Sequence, residues 1–139
     1  MSSRFPMFIV TIIAAFTMQF ASLPASAKSK GDSCKSLKLL DPDNDGSITL
    51  GEAKKAASDL FDKLNHDNDG TVDIKELQGR LSRKDFAAGD PDKDKTLTKN
   101  EYLAIVEQRF KAANGDADDT VDCKELGTAA GKSLVRLLK

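Results

Sequence analysis

The sequence contains few of the side chains on which most enzyme active sites depend. Its 139 residues include no tryptophan, one tyrosine, one histidine and two cysteines. A nucleophile, an acid–base pair or an open metal position usually comes from such groups, and no catalytic constellation can be identified among them. The length allows one domain and is too short for a two-domain enzyme. We therefore expect a protein that is not an enzyme.

An excess of charge of either sign is also missing. The chain has 21 basic and 22 acidic residues, and its formal net charge is −1. This balance argues against a nucleic-acid-binding protein. It conceals a pattern, however, because the acidic residues occur in short bursts at regular intervals.

Only one long hydrophobic run is present, FIVTIIAAF at residues 8–16. Arg4 precedes it, and Pro24 is followed by Ala-Ser-Ala, a small-residue cleavage pattern. We predict a signal peptide over residues 1–27, followed by one domain over residues 28–139 with no membrane association. A retained membrane anchor is the alternative, but spanning a bilayer takes about 20 apolar residues.

Four acidic segments align without gaps and begin 24, 25 and 24 residues apart. They are DPDNDGSITLGE at 41–52 (loop 1), NHDNDGTVDIKE at 65–76 (loop 2), DPDKDKTLTKNE at 90–101 (loop 3) and NGDADDTVDCKE at 114–125 (loop 4). Each has a side-chain oxygen at positions 1, 3 and 5, an apolar residue at position 8 and Glu at position 12, as in an EF-hand calcium loop. Solvated acidic turns are the alternative, but four matches in phase argue against chance.

This spacing suits a hard cation, which takes six to eight oxygen ligands. Positions 1, 3 and 5 converge on one centre, position 7 lends its carbonyl, position 9 often acts through water, and the Glu at position 12 binds with both oxygens. The candidate metal ligands are Asp41, Asp43, Asp45, Ser47 and Glu52 in loop 1; Asn65, Asp67, Asp69, Thr71, Asp73 and Glu76 in loop 2; Asp90, Asp92, Asp94, Thr96 and Glu101 in loop 3; and Asn114, Asp116, Asp118, Thr120, Asp122 and Glu125 in loop 4.

The four loops are not equivalent. Loop 1 is complete and has Gly46 at position 6, where the turn needs a positive φ. Asn65 and Asn114 replace the first Asp of loops 2 and 4, and Lys95 and Asp119 replace the glycine of loops 3 and 4. We expect loop 1 to bind most strongly, loops 2 and 3 less strongly, and loop 4 most weakly.

The loops concentrate negative charge. Sixteen of the 22 acidic residues occupy positions 1, 3, 5, 9 or 12 of a loop. Carboxylates crowded in this way repel one another, and a bound cation relieves the repulsion. We predict a loosely folded metal-free chain that becomes compact when metal binds.

The linkers between loops are 12, 13 and 12 residues long, too short for separate exit and entrance helices. One helix should therefore serve both purposes, although Gly79 weakens the middle linker and Ser82 is placed to cap a new turn there. These features predict an all-α fold, a compact small helical bundle with the loops at its periphery. Short strand pairs should join neighbouring loops at position 8, which holds Ile48, Val72, Leu97 and Val121.

The four-loop layout, the signal peptide, Pro42 and Pro91 at position 2, and the stretches NEYLA (100–104) and FKAAN (110–114) resemble lanmodulin, a family of periplasmic lanthanide-binding proteins. The resemblance covers about residues 40–139. It implies a three-helix core, a periplasmic location and selective binding of trivalent rare-earth ions. The expected cargo is up to four calcium or trivalent lanthanide ions, both of which are hard and oxygen-seeking.

Departures from the family pattern bear on this selectivity. His66 and Gly115 replace proline at position 2 of loops 2 and 4, and Thr49 and Thr98 occupy position 9 of loops 1 and 3. Weaker rare-earth selectivity, or selectivity confined to some loops, is the expected consequence. We interpret His66 as an exposed loop residue, because EF-type sites use oxygen ligands.

Two single features remain open at the level of sequence. Cys34 and Cys123 are one pair in an exported protein, which permits a disulfide but does not establish one. Tyr102 follows Glu101 and is expected to be a partly buried helix residue near loop 3, where it could sensitise terbium emission.

Two functions other than catalysis compete. The first is metal binding, for buffering or trafficking. The second is a calcium sensor with a protein partner, but sensors use Met-rich grooves, and all three methionines lie within the predicted signal peptide. We therefore favour metal binding.

Overall fold

The computed structural model describes residues 29–139, except for the side chains at positions 29, 30 and 32–34. The predicted signal peptide lies outside this part of the chain. The elements in order are α1 (Ser29–Leu40), β1 (Ser47–Thr49), α2 (Leu50–Leu64), β2 (Thr71–Asp73), α3 (Arg83–Gly89), β3 (Thr96–Thr98), α4 (Lys99–Ala113), β4 (Thr120–Asp122), α5 (Cys123–Leu126) and α6 (Ala129–Val135). Among these helices, none has the length and apolar character needed to cross a bilayer.

The prediction of an all-α fold is wrong, because the loops contribute two small antiparallel sheets. β1 pairs with β4, and β2 pairs with β3. The central pairs are Ile48 with Val121 and Val72 with Leu97, and all four side chains are fully buried. Loop 1 therefore pairs with the loop most distant from it in sequence. Pairing satisfies the backbone groups of the loops and adds these side chains to the core.

Helices α2 and α4 each connect two loops, which confirms the shared-helix prediction for the first and third linkers. Both helices begin with a capping box. The side chain of Thr49 accepts a hydrogen bond from the N–H of Glu52, and that glutamate accepts one from the N–H of Thr49. Thr98 and Glu101 repeat the arrangement. Each box satisfies two N–H groups that the helix itself leaves without partners.

The middle linker is not one continuous helix. After loop 2 the chain passes through turns in which Gln78 and Gly79 have positive φ angles of 49° and 78°. α3 then begins after Ser82, whose hydroxyl accepts a 3.1 Å hydrogen bond from the N–H of Asp85, as predicted. The described chain therefore has six helices.

Helix α4 lies at the centre of the core and packs against both α2 and α6. The rings of Phe61 on α2 and Tyr102 on α4 pack with their centroids 5.7 Å apart. Tyr102 is 0% exposed, so the expectation of partial burial is wrong. Its hydroxyl donates a 2.9 Å hydrogen bond to the carbonyl of Leu137, and burial raises the pKa of Tyr102 to about 12.

A disulfide ties down the end of loop 4. Cys123, the first residue of α5, is disulfide-bonded, and Cys34 is the only other cysteine in the sequence. The side chain of Cys34 is outside the described part, but its helix, α1, packs against α5.

An ion-pair network joins the exposed sides of α2 and α4. The carboxylate of Glu107 accepts hydrogen bonds from Lys54 and from Lys111, both 2.7 Å long. These bonds, led by the one from Lys111, lower the pKa of Glu107 from 4.5 to about 2.

We expect the contribution of Glu107 to depend on pH. Because its folded pKa is lower than its unfolded value, its stabilisation is complete above pH 4.5 and is lost as the pH falls through about 2. Glu107→Gln should therefore lower the melting temperature at neutral pH by a small amount, since the pair is partly solvated. Melts of both proteins from pH 7 to pH 2 should show the gap closing, and a gap of constant size would contradict this assignment.

Candidate metal centres

The first residue of a loop organises the turn that follows it. Asp41 is 5% exposed, and its two oxygens accept hydrogen bonds from the N–H groups of Asp45 (3.2 Å) and Gly46 (3.0 Å). In loop 3, Asp90 is 6% exposed and accepts a 3.0 Å bond from the N–H of Lys95. These bonds fold each loop around the carboxylate at position 1.

Two acidic clusters result from this folding. Asp41, Asp43 and Asp45 in loop 1 each offer a carboxylate oxygen, and these oxygens all lie within 4.8 Å of one another. Asp90, Asp92 and Asp94 form the same arrangement in loop 3. Three carboxylates at this separation could hold a metal ion of the hard, oxygen-preferring class.

Electrostatic crowding is visible inside both clusters. A side-chain hydrogen bond to Asp41, followed by desolvation, raises the pKa of Asp43. The same two causes, with Asp90 as the partner, raise the pKa of Asp92. Neighbouring carboxylates thus favour a retained proton, and a cation placed between them would remove that tendency.

Hydroxyl groups at position 7 hold the carboxylate at position 5 in every loop. For example, the hydroxyl of Ser47 donates a 3.0 Å bond to Asp45, and that of Thr96 donates a 2.7 Å bond to Asp94. The equivalent bonds in loops 2 and 4 join Thr71 to Asp69 and Thr120 to Asp118. Hydrogen bonds from the neighbouring Thr residue lower the pKa of Asp69, Asp94 and Asp118, which favours the ionised carboxylate at position 5 of loops 2, 3 and 4.

Two loops contain a buried side-chain oxygen that has no hydrogen-bond partner, which is evidence on whether these residues fit a cation. Oδ1 of Asn65 and Oδ1 of Asp90 are buried and accept no hydrogen bond. Leaving such an oxygen unsatisfied costs about 1–3 kcal/mol, yet both occupy position 1, where an EF loop supplies its first ligand. The donor set therefore fits an oxygen-seeking cation in loops 2 and 3. In loop 4, Oδ1 of Asn114 instead accepts a 2.7 Å bond from the N–H of Ala117.

Loop 2 encloses a concavity of about 330 Å³. Five of the six predicted ligands of the loop line it, together with Lys75 and one residue of loop 3, Thr96. These predicted ligands are Asp67, Asp69, Thr71, Asp73 and Glu76. Because β2 pairs with β3, loop 3 supplies part of the wall of the loop 2 centre.

The glutamates at position 12 divide the loops into two types. In loops 2 and 4, Oε1 of Glu76 accepts from the N–H of His66 (3.0 Å), and Oε1 of Glu125 accepts from the N–H of Gly115 (2.7 Å). His66 and Gly115 occupy position 2 of their loops. Loops 1 and 3 have proline at position 2, and proline has no N–H to donate. Glu52 therefore lacks this contact across its loop, and its bonds to the described residues run from Thr49 to Oε2.

In all four loops the side chain at position 9 accepts hydrogen bonds from backbone N–H groups of the residues that follow the loop strand. Oδ1 of Asp73 accepts from the N–H groups of Lys75 and Glu76, and Oδ1 of Asp122 caps α5 in the same way. One oxygen of each predicted ligand is thus committed to capping. The signal was present in the sequence as Thr or Asp followed three residues later by Glu.

Position 4 is a feature that the sequence interpretation missed. Its four residues all have left-handed backbones: Asn44 (φ 58°), Asn68 (58°), Lys93 (60°) and Ala117 (60°). Asparagine is enriched in this conformation, so Asn44 and Asn68 could have indicated it from the sequence. Lys93 and Ala117 gave no such indication. At position 6, Lys95 and Asp119 have φ angles of 71° and 75° where loops 1 and 2 have glycine at 91°.

The single histidine does not join the acidic side chains. His66 is exposed, as predicted, and its Nδ1 lies 2.6 Å from the carbonyl oxygen of Leu64. Comparison with protein-family models and with curated proteins gives no match to this chain. The functional assignment therefore depends on the geometry of the loops.

Proposed function

We propose that this chain is an exported, periplasmic EF-hand protein that binds hard cations through its four loops and compacts on binding. Rare-earth ions, calcium ions or both are the cargo, and the protein is not an enzyme. The observation that supports the proposal best is the buried, unpartnered oxygen of Asp90 beside the carboxylates of Asp92 and Asp94. A cation between these three carboxylates would be a partner for that oxygen and would reduce the repulsion among them.

The charge of the loops favours a trivalent ion. Each loop has four acidic residues among positions 1, 3, 5, 9 and 12, so an ion of higher charge gains more Coulomb energy in every loop. Its larger dehydration cost opposes this gain. We propose a preference for lanthanide over calcium ions, consistent with the resemblance to lanmodulin.

A terbium titration in excess calcium tests the choice of ion. We expect micromolar terbium to change the far-UV circular dichroism even when calcium is millimolar. If calcium at that concentration prevents the change, the protein is a calcium-binding EF-hand protein, and the rare-earth preference is wrong.

Tyr102 should report on terbium through sensitised emission. Tyr102 is the only tyrosine of the chain, which has no tryptophan. The residue before Tyr102 is Glu101, a proposed metal ligand. Tyr102→Phe should dim the luminescence without lowering the number of ions bound. It also removes the hydrogen bond to Leu137, which should cost about 1 kcal/mol of folding free energy. Luminescence of unchanged intensity in the variant would show that Tyr102 is not the donor.

Replacing Lys95 should strengthen loop 3. Lysine in a left-handed backbone costs about 1–2 kcal/mol, and its backbone N–H bond to Asp90 survives in glycine. We expect Lys95→Gly to raise the affinity of loop 3 by about fivefold, after allowing for the greater freedom of glycine in the unfolded chain. The reciprocal variant Gly46→Lys should weaken loop 1, and calorimetric titration of both can measure the changes. Equal affinities in wild type and Lys95→Gly would show that backbone strain does not limit loop 3.

A further inference from the structure

The disulfide of Cys123 lies inside loop 4. Cys123 is the tenth residue of that loop, between the proposed ligands Asp122 and Glu125. It is disulfide-bonded, and Cys34 is the only other cysteine of the sequence, so Cys34 is its one possible partner within the chain. A residue of a proposed metal centre is therefore cross-linked to a segment that is distant in sequence.

This bond joins the entrance of loop 1 to the exit of loop 4. Cys34 belongs to α1, which ends at Leu40, directly before the first ligand of loop 1, Asp41. Cys123 is the first residue of α5, the exit helix of loop 4. α1 packs against α5, and β1 of loop 1 pairs with β4 of loop 4. The disulfide therefore fastens together the two loops that share one sheet.

The exit helix of loop 4 depends on contacts with other elements. α5 has four residues, whereas α2 and α4, which follow loops 1 and 3, have 15 each. A single helical turn is not stable by itself, because nucleation costs more than one turn of hydrogen bonds returns. The carbonyl of Glu125 accepts bonds from the N–H (3.0 Å) and the hydroxyl (2.7 Å) of Thr128, which precedes α6. The disulfide to α1 is a second attachment of the same short helix.

The two pairs of loops differ in how much chain separates their members. Residues 53–113 lie between loops 1 and 4, whereas only residues 77–89 lie between loops 2 and 3. The entropic cost of bringing two segments together rises with the length of chain between them. A disulfide reduces this cost because it restricts the unfolded chain. The cross-link therefore favours the pairing of loops 1 and 4, while loops 2 and 3 are close in sequence without it.

We propose that the disulfide gives loops 1 and 4 redox control over their metal binding, an inference that rests on the proposed function. With the bond intact both loops bind tightly, and after reduction they bind more weakly and release their ions first. The reductant is a dithiol. One of its sulfurs attacks the disulfide and displaces one cysteine, and its second sulfur then closes a new disulfide and frees the other cysteine. Two electrons and two protons pass from the dithiol to the cysteines. Cys123 is partly exposed, which allows the reagent to approach.

This coupling has to act in both directions. If reduction weakens metal binding, bound metal must stabilise the disulfide by the same factor. We expect the ratio of reduced to oxidised dithiothreitol that opens half of the disulfides to be about tenfold higher for terbium-saturated protein than for metal-free protein. Alkylation of the free thiols followed by mass spectrometry measures the opened fraction.

Two double variants separate the pairs of loops. Glu76→Gln/Glu101→Gln removes the last ligand of loops 2 and 3, so its terbium binding reports on loops 1 and 4. Glu52→Gln/Glu125→Gln does the reverse and is the matched control. Each is titrated with chelator-buffered terbium in the oxidised state, and again after reduction by dithiothreitol and removal of the reagent under argon. We expect reduction to weaken binding about tenfold in the first variant and less than twofold in the control.

Serine at both cysteines provides a second control. Cys34→Ser/Cys123→Ser, combined with the first double variant, should bind terbium as weakly as the reduced protein does. Treatment with dithiothreitol should leave its affinity unchanged. Circular dichroism of each terbium-loaded protein checks that the variant still folds.

The outcomes distinguish this inference from the proposed function. Equal affinities before and after reduction, or equal losses in both pairs of loops, would overturn the redox control and leave the metal-binding function intact. A disulfide that is reduced as readily with terbium as without it would overturn the control as well. An oxidised wild-type protein that takes up neither terbium nor calcium would overturn the proposed function, and the redox control with it.

Discussion

Chelation of its metal should cost the protein most of its ordered structure. Under the proposed function, cations offset the repulsion among the sixteen carboxylates of the four loops. An ion present at 100 times its dissociation constant adds about 2.7 kcal/mol of stability, so four such ions contribute roughly as much as the whole free energy of unfolding of a small domain. We therefore expect a large loss of helical ellipticity after rigorous chelation.

Far-UV circular dichroism with and without chelator measures this effect, and added metal should restore the signal. A variant with glutamine at all four position-12 glutamates (Glu52, Glu76, Glu101 and Glu125) should not recover when metal is added. Spectra that overlay before and after chelation would show that folding does not require metal.

The second large effect is expected at Asp41. Its buried carboxylate holds the N–H groups of Asp45 and Gly46 and is the proposed first ligand of loop 1. Asp41→Asn keeps one oxygen but removes the charge and one acceptor. We expect the affinity of loop 1 to fall by about tenfold to hundredfold, and a lanthanide to lose more than calcium because its charge is higher.

This loss should be local. Loops 2 and 3 belong to the other sheet, so their affinities should not change, whereas loop 4 shares a sheet with loop 1 and could weaken slightly. Asp59→Asn is the matched control, because it removes one negative charge from an exposed acid outside the loops. A uniform decrease at all sites in both variants would indicate a general charge effect and no specific ligand role for Asp41.

The sequence predicted the convergence of the acids better than it predicted the fold. Positions 1, 3 and 5 lie within five residues, so local turn geometry brings Asp41, Asp43 and Asp45 together. The pairing of Ile48 with Val121 joins segments more than seventy residues apart, and no local pattern specifies it. The all-α assignment failed because the strand pairs expected at position 8 form two antiparallel sheets, and their central residues belong to the core.

Other features depended on tertiary contacts in the same way. Tyr102 is fully buried, and the partner that satisfies its hydroxyl there is the carbonyl of Leu137, 35 residues later. The contact of Arg80 with Lys139, 59 residues later, is equally absent from any local pattern. By contrast, the cap at Ser82 is local and was predicted correctly.

Native mass spectrometry of the protein titrated with terbium tests the central proposal most directly. We expect successive binding of up to four ions, with saturation at four for wild type and at three for Asp41→Asn at the same concentration. Addition of millimolar calcium should not displace the bound terbium. A wild-type chain that binds no more terbium than a similarly acidic protein without EF-type loops would contradict the account.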